Sequence, residues 1–155
     1  MIRNASRQGF TLVEILIVVV ILGILAAIVV PQFTNASESA KSNSLYTQLQ
    51  TLRSQFELYQ VQHNGNYPVL TGSSHVLWDC MTSKTGVTGA VDAAGAYGPY
   101  LQQAPKNPFT NTSTVAADTS AAWQYTGNGT IKAVLPAGRD LTALGLSASD
   151  AVVAQ

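Results

Sequence analysis

A chain of 155 residues holds one modest domain plus an appendage and is too short for two well-cored domains. Eight basic side chains balance eight acidic ones and only 10% of residues are charged, so no long-range field exists to draw in nucleic acid or an acidic substrate. Cys80 is the single cysteine, which excludes an internal disulfide and a cysteine-rich zinc site and leaves packing to hold the fold.

The first element is the most informative. From Ile15 to Val30 every residue is apolar or glycine. Phe10 to Val30, read as a helix, rises roughly 31 Å, about the hydrocarbon thickness of a bilayer. The preceding Met1 to Gly9 carry Arg3 and Arg7 and no acid, which by the positive-inside rule keeps that end in the cytoplasm and places everything after Pro31 outside. A cleaved secretory signal, cut near Ala26 or Ala27, has a shorter apolar run and gains nothing from Glu14. A plain single-pass anchor fits the length but leaves Glu14 unexplained, because a charge in hydrocarbon is costly without a partner. Glu14 is the only charged side chain between Arg7 and Glu38. Cleavage between Gly9 and Phe10 would create an ammonium group at the helix tip, and the helix N-terminus itself favours a carboxylate nearby. Glu14 is then placed to meet the ammonium of an axially staggered second copy, so that one polar contact sets register, as in a coiled-coil seam.

Gly9-Phe10-Thr11-Leu12-Val13-Glu14, followed by the apolar run and Pro31, resembles the class III signal of type IV pilins and of the pseudopilins of type II secretion. The resemblance implies that a membrane prepilin peptidase cuts after Gly9 and methylates the amine of Phe10. It further implies that Phe10, Glu14, Gly23 and Pro31 belong to the assembly surface, with Glu14 paired to the N-terminus of an adjacent subunit.

The helix is expected to continue past the membrane to residue 63, as a rod roughly 80 Å long. Pro31 removes one rung and predicts a kink or loosening between Gly23 and Pro31. Beyond it, Leu45, Leu49, Leu52, Phe56 and Tyr59 recur at helical spacing and define one face packed on the chain's own domain. The small-residue stretch from Thr34 to Ser44 suits close approach of neighbouring helices. Asn64-Gly65 stops the helix and Tyr67-Pro68 forces extended chain.

Residues 64–155 read as a small domain in pieces. Ser73-Ser74 caps a short helix running to about Thr82, with Leu77, Cys80 and Met81 buried. Gly86 to Gly98 reads as loop with at most a short strand. Trp123-Gln124-Tyr125, a Gly127-Asn128-Gly129 turn and Thr130 to Leu135 read as a β-hairpin with Trp123 and Tyr125 on one face against the long helix. The Ala-rich tail from Pro136 is expected to hold a short helix at Ala148 to Ala154. Candidates for chemistry are weak. His75 and Asp79 lie one helical turn apart, but no strained nucleophile turn accompanies them. His63 and His75 lack companion ligands and are expected to face solvent or cap, and Cys80 to be a buried, inert thiol.

Tyr97-Gly98-Pro99-Tyr100-Leu101 and Pro105-Lys106-Asn107-Pro108-Phe109 resemble a loop of the major, G-type pseudopilin, which usually has aspartate at the position of Asn107 and tryptophan at that of Phe109. Two prolines three apart make that loop rigid, as a connector or as an assembly surface. The family also holds calcium in an acidic C-terminal loop, whereas Asp118, Asp140 and Asp150 are scattered here, a poor match to the six to eight oxygens that calcium takes. No other cofactor is expected. The expected fold is thus α+β and pilin-like: leader 1–9, membrane and assembly helix 10–30, amphipathic continuation 31–63 and a small periplasmic domain 64–155. The expected role is a non-catalytic subunit of a type II secretion pseudopilus in the bacterial inner membrane. Its implied partners are copies of itself, prepilin peptidase, minor pseudopilins or pilins, and an inner-membrane platform with its ATPase. A type IV pilin forming a surface fibre for adhesion, motility or DNA uptake is the second reading, and a secreted or anchored binding protein the third.

Overall fold

The structure, a computed structural model, describes residues 9–70 and 76–155. The chain divides into two units, Met1–Glu38 and Ser39–Gln155, and helix α1, Leu12–Gln62, contributes to both. In the first unit the large apolar side chains between Ile15 and Val30 are 42–62% exposed, with no side favoured. A helix apolar all round has no core-facing stripe, so it requires lipid or sister helices to leave water. Pro31 lies within α1 without ending it.

In the second unit the predicted stripe is the core. Leu45, Leu49, Leu52, Phe56 and Tyr59 are all buried, and Ser42 continues the same face upstream. The helix stops because Asn64 and Gly65 take positive φ, 56° and 85°, letting the Gly65 amide reach back to the Gln60 carbonyl at 2.9 Å. Helix α2, Val76–Thr82, buries Leu77, Cys80 and Met81 as expected, and Trp78 as well, whose indole donates to the Ser113 carbonyl. The expected cap at Ser73-Ser74 and the pairing of His75 with Asp79 lie outside the described residues.

Among the described residues one four-stranded sheet forms, in the order β1 (Val115–Ala116), β2 (Trp123–Tyr125), β3 (Ile131–Leu135), β4 (Ala151–Val153). The β2–β3 pair is the predicted antiparallel hairpin, with Trp123 opposite Ala133 and Tyr125 opposite Ile131. Its turn needs Gly129, because a Cβ there would run into the Tyr67 ring. Trp123 and Tyr125 are fully buried, and the Tyr125 ring meets Phe56 of α1 with centroids 5.2 Å apart. Residues 86–98 form loop, as expected, with Thr85 bridging to Val91 and to Tyr97.

One expectation fails and one holds only in part. Residues 148–154 are not a helix: after a crossover from β3 the chain returns as β4, parallel to β3, with Ala133 paired to Ala151 and Leu135 to Val153. Alanine's helix propensity is a few tenths of a kcal/mol per residue, and backbone pairing on an open sheet edge overrides it. His63 does not face solvent but is 1% exposed, and the capping role expected of it is met from inside the core, on a carbonyl of the last turn of α1. It follows Tyr59 by four residues, so helical phase carries it onto the buried face, where its ring stacks on Tyr59 at 3.8 Å. Its Nδ1 lies 2.8 Å from the Tyr59 carbonyl, which only accepts, so the proton sits on Nδ1 and the Thr85 hydroxyl donates to Nε2 at 3.0 Å.

The core phenols give an alkaline signature. Tyr125 donates to the Pro68 carbonyl at 2.7 Å, and burial pushes its pKa up to about 12. Burial pushes Tyr59 up as well. An unfolded tyrosine titrates near 10. A folded pKa above the unfolded one means that the stabilisation is whole below about pH 10 and is lost as pH rises toward 12. Near-ultraviolet circular dichroism should therefore show cooperative loss of tertiary signal over that interval. Tyr125→Phe should move this transition to higher pH while lowering stability at neutral pH by about 1 kcal/mol.

Candidate assembly site at the start of the helix

The only acid in the first turn of α1 is Glu14. Its side chain folds back along the helix. One carboxylate oxygen, Oε2, accepts from the Thr11 amide at 2.9 Å and from the Thr11 hydroxyl at 3.0 Å, while the Glu14 amide donates to Thr11 Oγ1 at 3.2 Å. Thr11 is thus the N-cap and Glu14 the third helical residue of a reciprocal capping box, which satisfies amides that a helix start leaves open. The Phe10–Thr11 peptide lies downstream of the expected cut, so this box survives removal of the leader. Thr11 was missed in the sequence reading, although Thr-x-x-Glu before an apolar run is the signature of such a cap.

Around this point the surface is apolar. Phe10 is 84% exposed and Leu12 81%, and a Cβ at Gly23 would meet nothing within 4 Å. Phe10, Glu14 and Gly23 therefore all belong to the exposed stem.

The rigid loop is built from the inside. The amides of Tyr100 and Leu101 both donate to the Met81 carbonyl, at 2.9 and 2.8 Å, and the Tyr100 hydroxyl donates to Gln62 at 2.6 Å. The Pro105 carbonyl accepts from the Trp123 indole at 3.0 Å. Asn107 is completely buried: its amide nitrogen donates to the carbonyls of Ala122 and Val134, both at 2.8 Å, and its oxygen accepts from the Phe109 amide at 2.9 Å. The Arg139 guanidinium lies 5.7 Å from the Phe109 ring centroid. These contacts knit the loop to α1, α2 and the hairpin.

The acidic side chains of the C-terminal segments are each engaged locally. Asp118 accepts from Ser120, and Asp140 from Thr142 and the Ala143 amide, each closing its own turn. Asp150 is committed to Ser147 and Arg53. Among the described residues no three His, Cys, Asp or Glu side chains converge. Cys80 is buried against the Gly89 carbonyl, and burial raises its pKa, the state of an unreactive thiol.

The family described as "Prokaryotic N-terminal methylation motif" matches residues 4–30. The chain is 32% identical to the Type II secretion system core protein G of Vibrio cholerae serotype O1, over 70% of each chain. It is 30% identical to that of Klebsiella pneumoniae, over 66% of this chain and 69% of the relative. The protein of the same name from Aeromonas hydrophila is also 30% identical, over 70% and 72%. No solved structure gives a significant match.

Proposed function

This chain belongs to the family of type II secretion system core protein G, and from that membership we propose how its parts serve a pseudopilus subunit. The chain is a structural subunit of the type II secretion pseudopilus, anchored by its apolar N-terminal helix. Prepilin peptidase removes Met1 to Gly9 and methylates Phe10. The second unit then stands outside the cytoplasm, the side on which Arg3 and Arg7 leave it. Minor pseudopilins and an inner-membrane platform with its ATPase draw the subunit into the filament. Extraction transfers the stem from lipid to a bundle of identical stems, so its apolar surface avoids water in both states.

The observation that carries this reading is the exposed apolar stem of α1, residues 12–30, whose single carboxylate is held at the first turn. Within one chain Thr11 engages one oxygen of Glu14. The other is left to accept the Phe10 ammonium of a neighbouring copy, which fixes the axial stagger. The test is mass spectrometry of the chain recovered from membranes, together with an export assay in a strain lacking it. A mature chain beginning at methylated Phe10, and export restored only by the intact gene, are the expected results. A start after Ala26 or Ala27, or undiminished export in the deletion strain, would sink the proposal.

A further inference from the structure

Strand β4 is three residues long and lies at the edge of the sheet. Strands so short are weakly held by their own ladder. What fastens this one is the residue before it. Asp150 is 7% exposed, and its own carbonyl accepts from the Ala133 amide at 2.9 Å. Its carboxylate is divided between two partners. Oδ2 accepts from the Ser147 amide and hydroxyl, and Oδ1 accepts from Nη1 of Arg53 at 3.0 Å. The second arm of the same guanidinium, Nη2, donates to the Ser149 carbonyl at 2.8 Å.

Arg53 therefore reaches from the C-terminal part of α1 to grip one carboxylate and one backbone carbonyl of the C-terminal segment. Carboxylate plus carbonyl is the oxygen set a calcium ion collects when it closes a loop. Here a covalently attached cation holds it. A divalent ion entering this place would displace the guanidinium and leave its charge unpaired, and Asp118 and Asp140 each close a separate turn through Oδ1.

We infer that the Arg53 guanidinium is the internal cation that fastens residues 147–153 to α1, so that the folded domain of this subunit does not depend on calcium. Burial works against ionisation of Asp150, but the bonds from Ser147 and Arg53 outweigh it and keep the carboxyl below its ordinary range, as an ion-paired fastening requires. The inference concerns the folded domain and stands independently of polymerisation.

The test uses the full-length chain in detergent, with thermal unfolding followed in the near ultraviolet, where Trp78 and Trp123 report. Wild type should unfold within about 1 °C of the same temperature in about 5 mM calcium chloride and in chelator, a concentration above the weakest extracellular calcium sites. Arg53→Met should lower the midpoint by about 5 °C or more in both buffers and admit carboxypeptidase to the C-terminal residues. Arg53→Lys keeps the charge but not the fork, and should fall between the two. It remains informative where the methionine variant does not fold. Calcium raising the wild-type midpoint by about 5 °C or more would overturn the inference. So would arginine variants that melt with wild type.

Discussion

Glu14→Gln and Glu14→Ala are expected to be made, inserted and trimmed to Phe10 at normal levels, yet to enter filaments at least about tenfold less than the parent. The two substitutions separate two roles of one side chain. Glutamine keeps an oxygen for the Thr11 amide and hydroxyl, so the capping box survives in neutral form. Alanine removes box and charge together. If the carboxylate served only to cap its helix, glutamine would assemble nearly as well as wild type and alanine would fail. If it serves as counter-ion to the Phe10 ammonium of a second copy, both fail alike. The measurement is the filament fraction sheared from cells and quantified against the membrane-retained pool, with mass spectrometry verifying the N-terminus. Normal assembly by either variant would require the pairing role to be abandoned.

Thr11→Val refines the same argument. It deletes the hydroxyl that both donates to Glu14 and accepts from its amide, but leaves the Thr11 amide in place. The carboxylate stays charged and loses part of its restraint, so a smaller assembly defect than that of Glu14→Gln is expected.

These features differ in how legible they are in sequence, and the difference has a physical basis. The stem and the Leu45 to Tyr59 stripe are readable because composition and a 3.6-residue period are local properties, repeated often enough to overwhelm noise. His63 continues that stripe at a spacing of four, but a polar side chain carries no signal of burial in the sequence. Its burial depends on Thr85, distant in sequence, supplying a hydroxyl. Strand β1 holds two residues, too few for alternation to register, and β4 is Ala-Val-Val, apolar throughout and so without any alternation. At β4 an Ala-rich segment is turned to strand by pairing with β3 and by Arg53, both contacts of long range. The Glu14 site was legible as a charge needing a partner. The partner found within the chain, Thr11, was also legible, but as a capping pattern rather than as an ion pair.

Asn107→Asp is expected to destabilise the second unit by about 3–5 kcal/mol, the cost of an uncompensated buried charge. That is a large share of the 5–15 kcal/mol typical of a domain. The family usually carries aspartate at this position, so the change toward the common residue should be the harmful one here. The reason is the direction of the hydrogen bonds. The Asn107 amide nitrogen donates to two carbonyl oxygens, of Ala122 at the entry to β2 and of Val134 in β3, in the hairpin that the loop must hold. A carboxylate of the same shape has no proton for either, and sets a negative charge against two acceptors at 0% exposure. The bond from the Phe109 amide survives the change, which makes the loss specific to the donor side. Protonation restores a single donor, so the introduced carboxyl has its folded pKa raised. By linkage, the variant regains part of its deficit below about pH 4, near the unfolded carboxyl value, and loses it again as pH rises. Thermal midpoints of the two proteins should therefore converge on acidification and diverge toward neutrality. Parallel curves, or a variant as stable as the parent at pH 7, would show that the Asn107 amide does not hold the loop to the sheet.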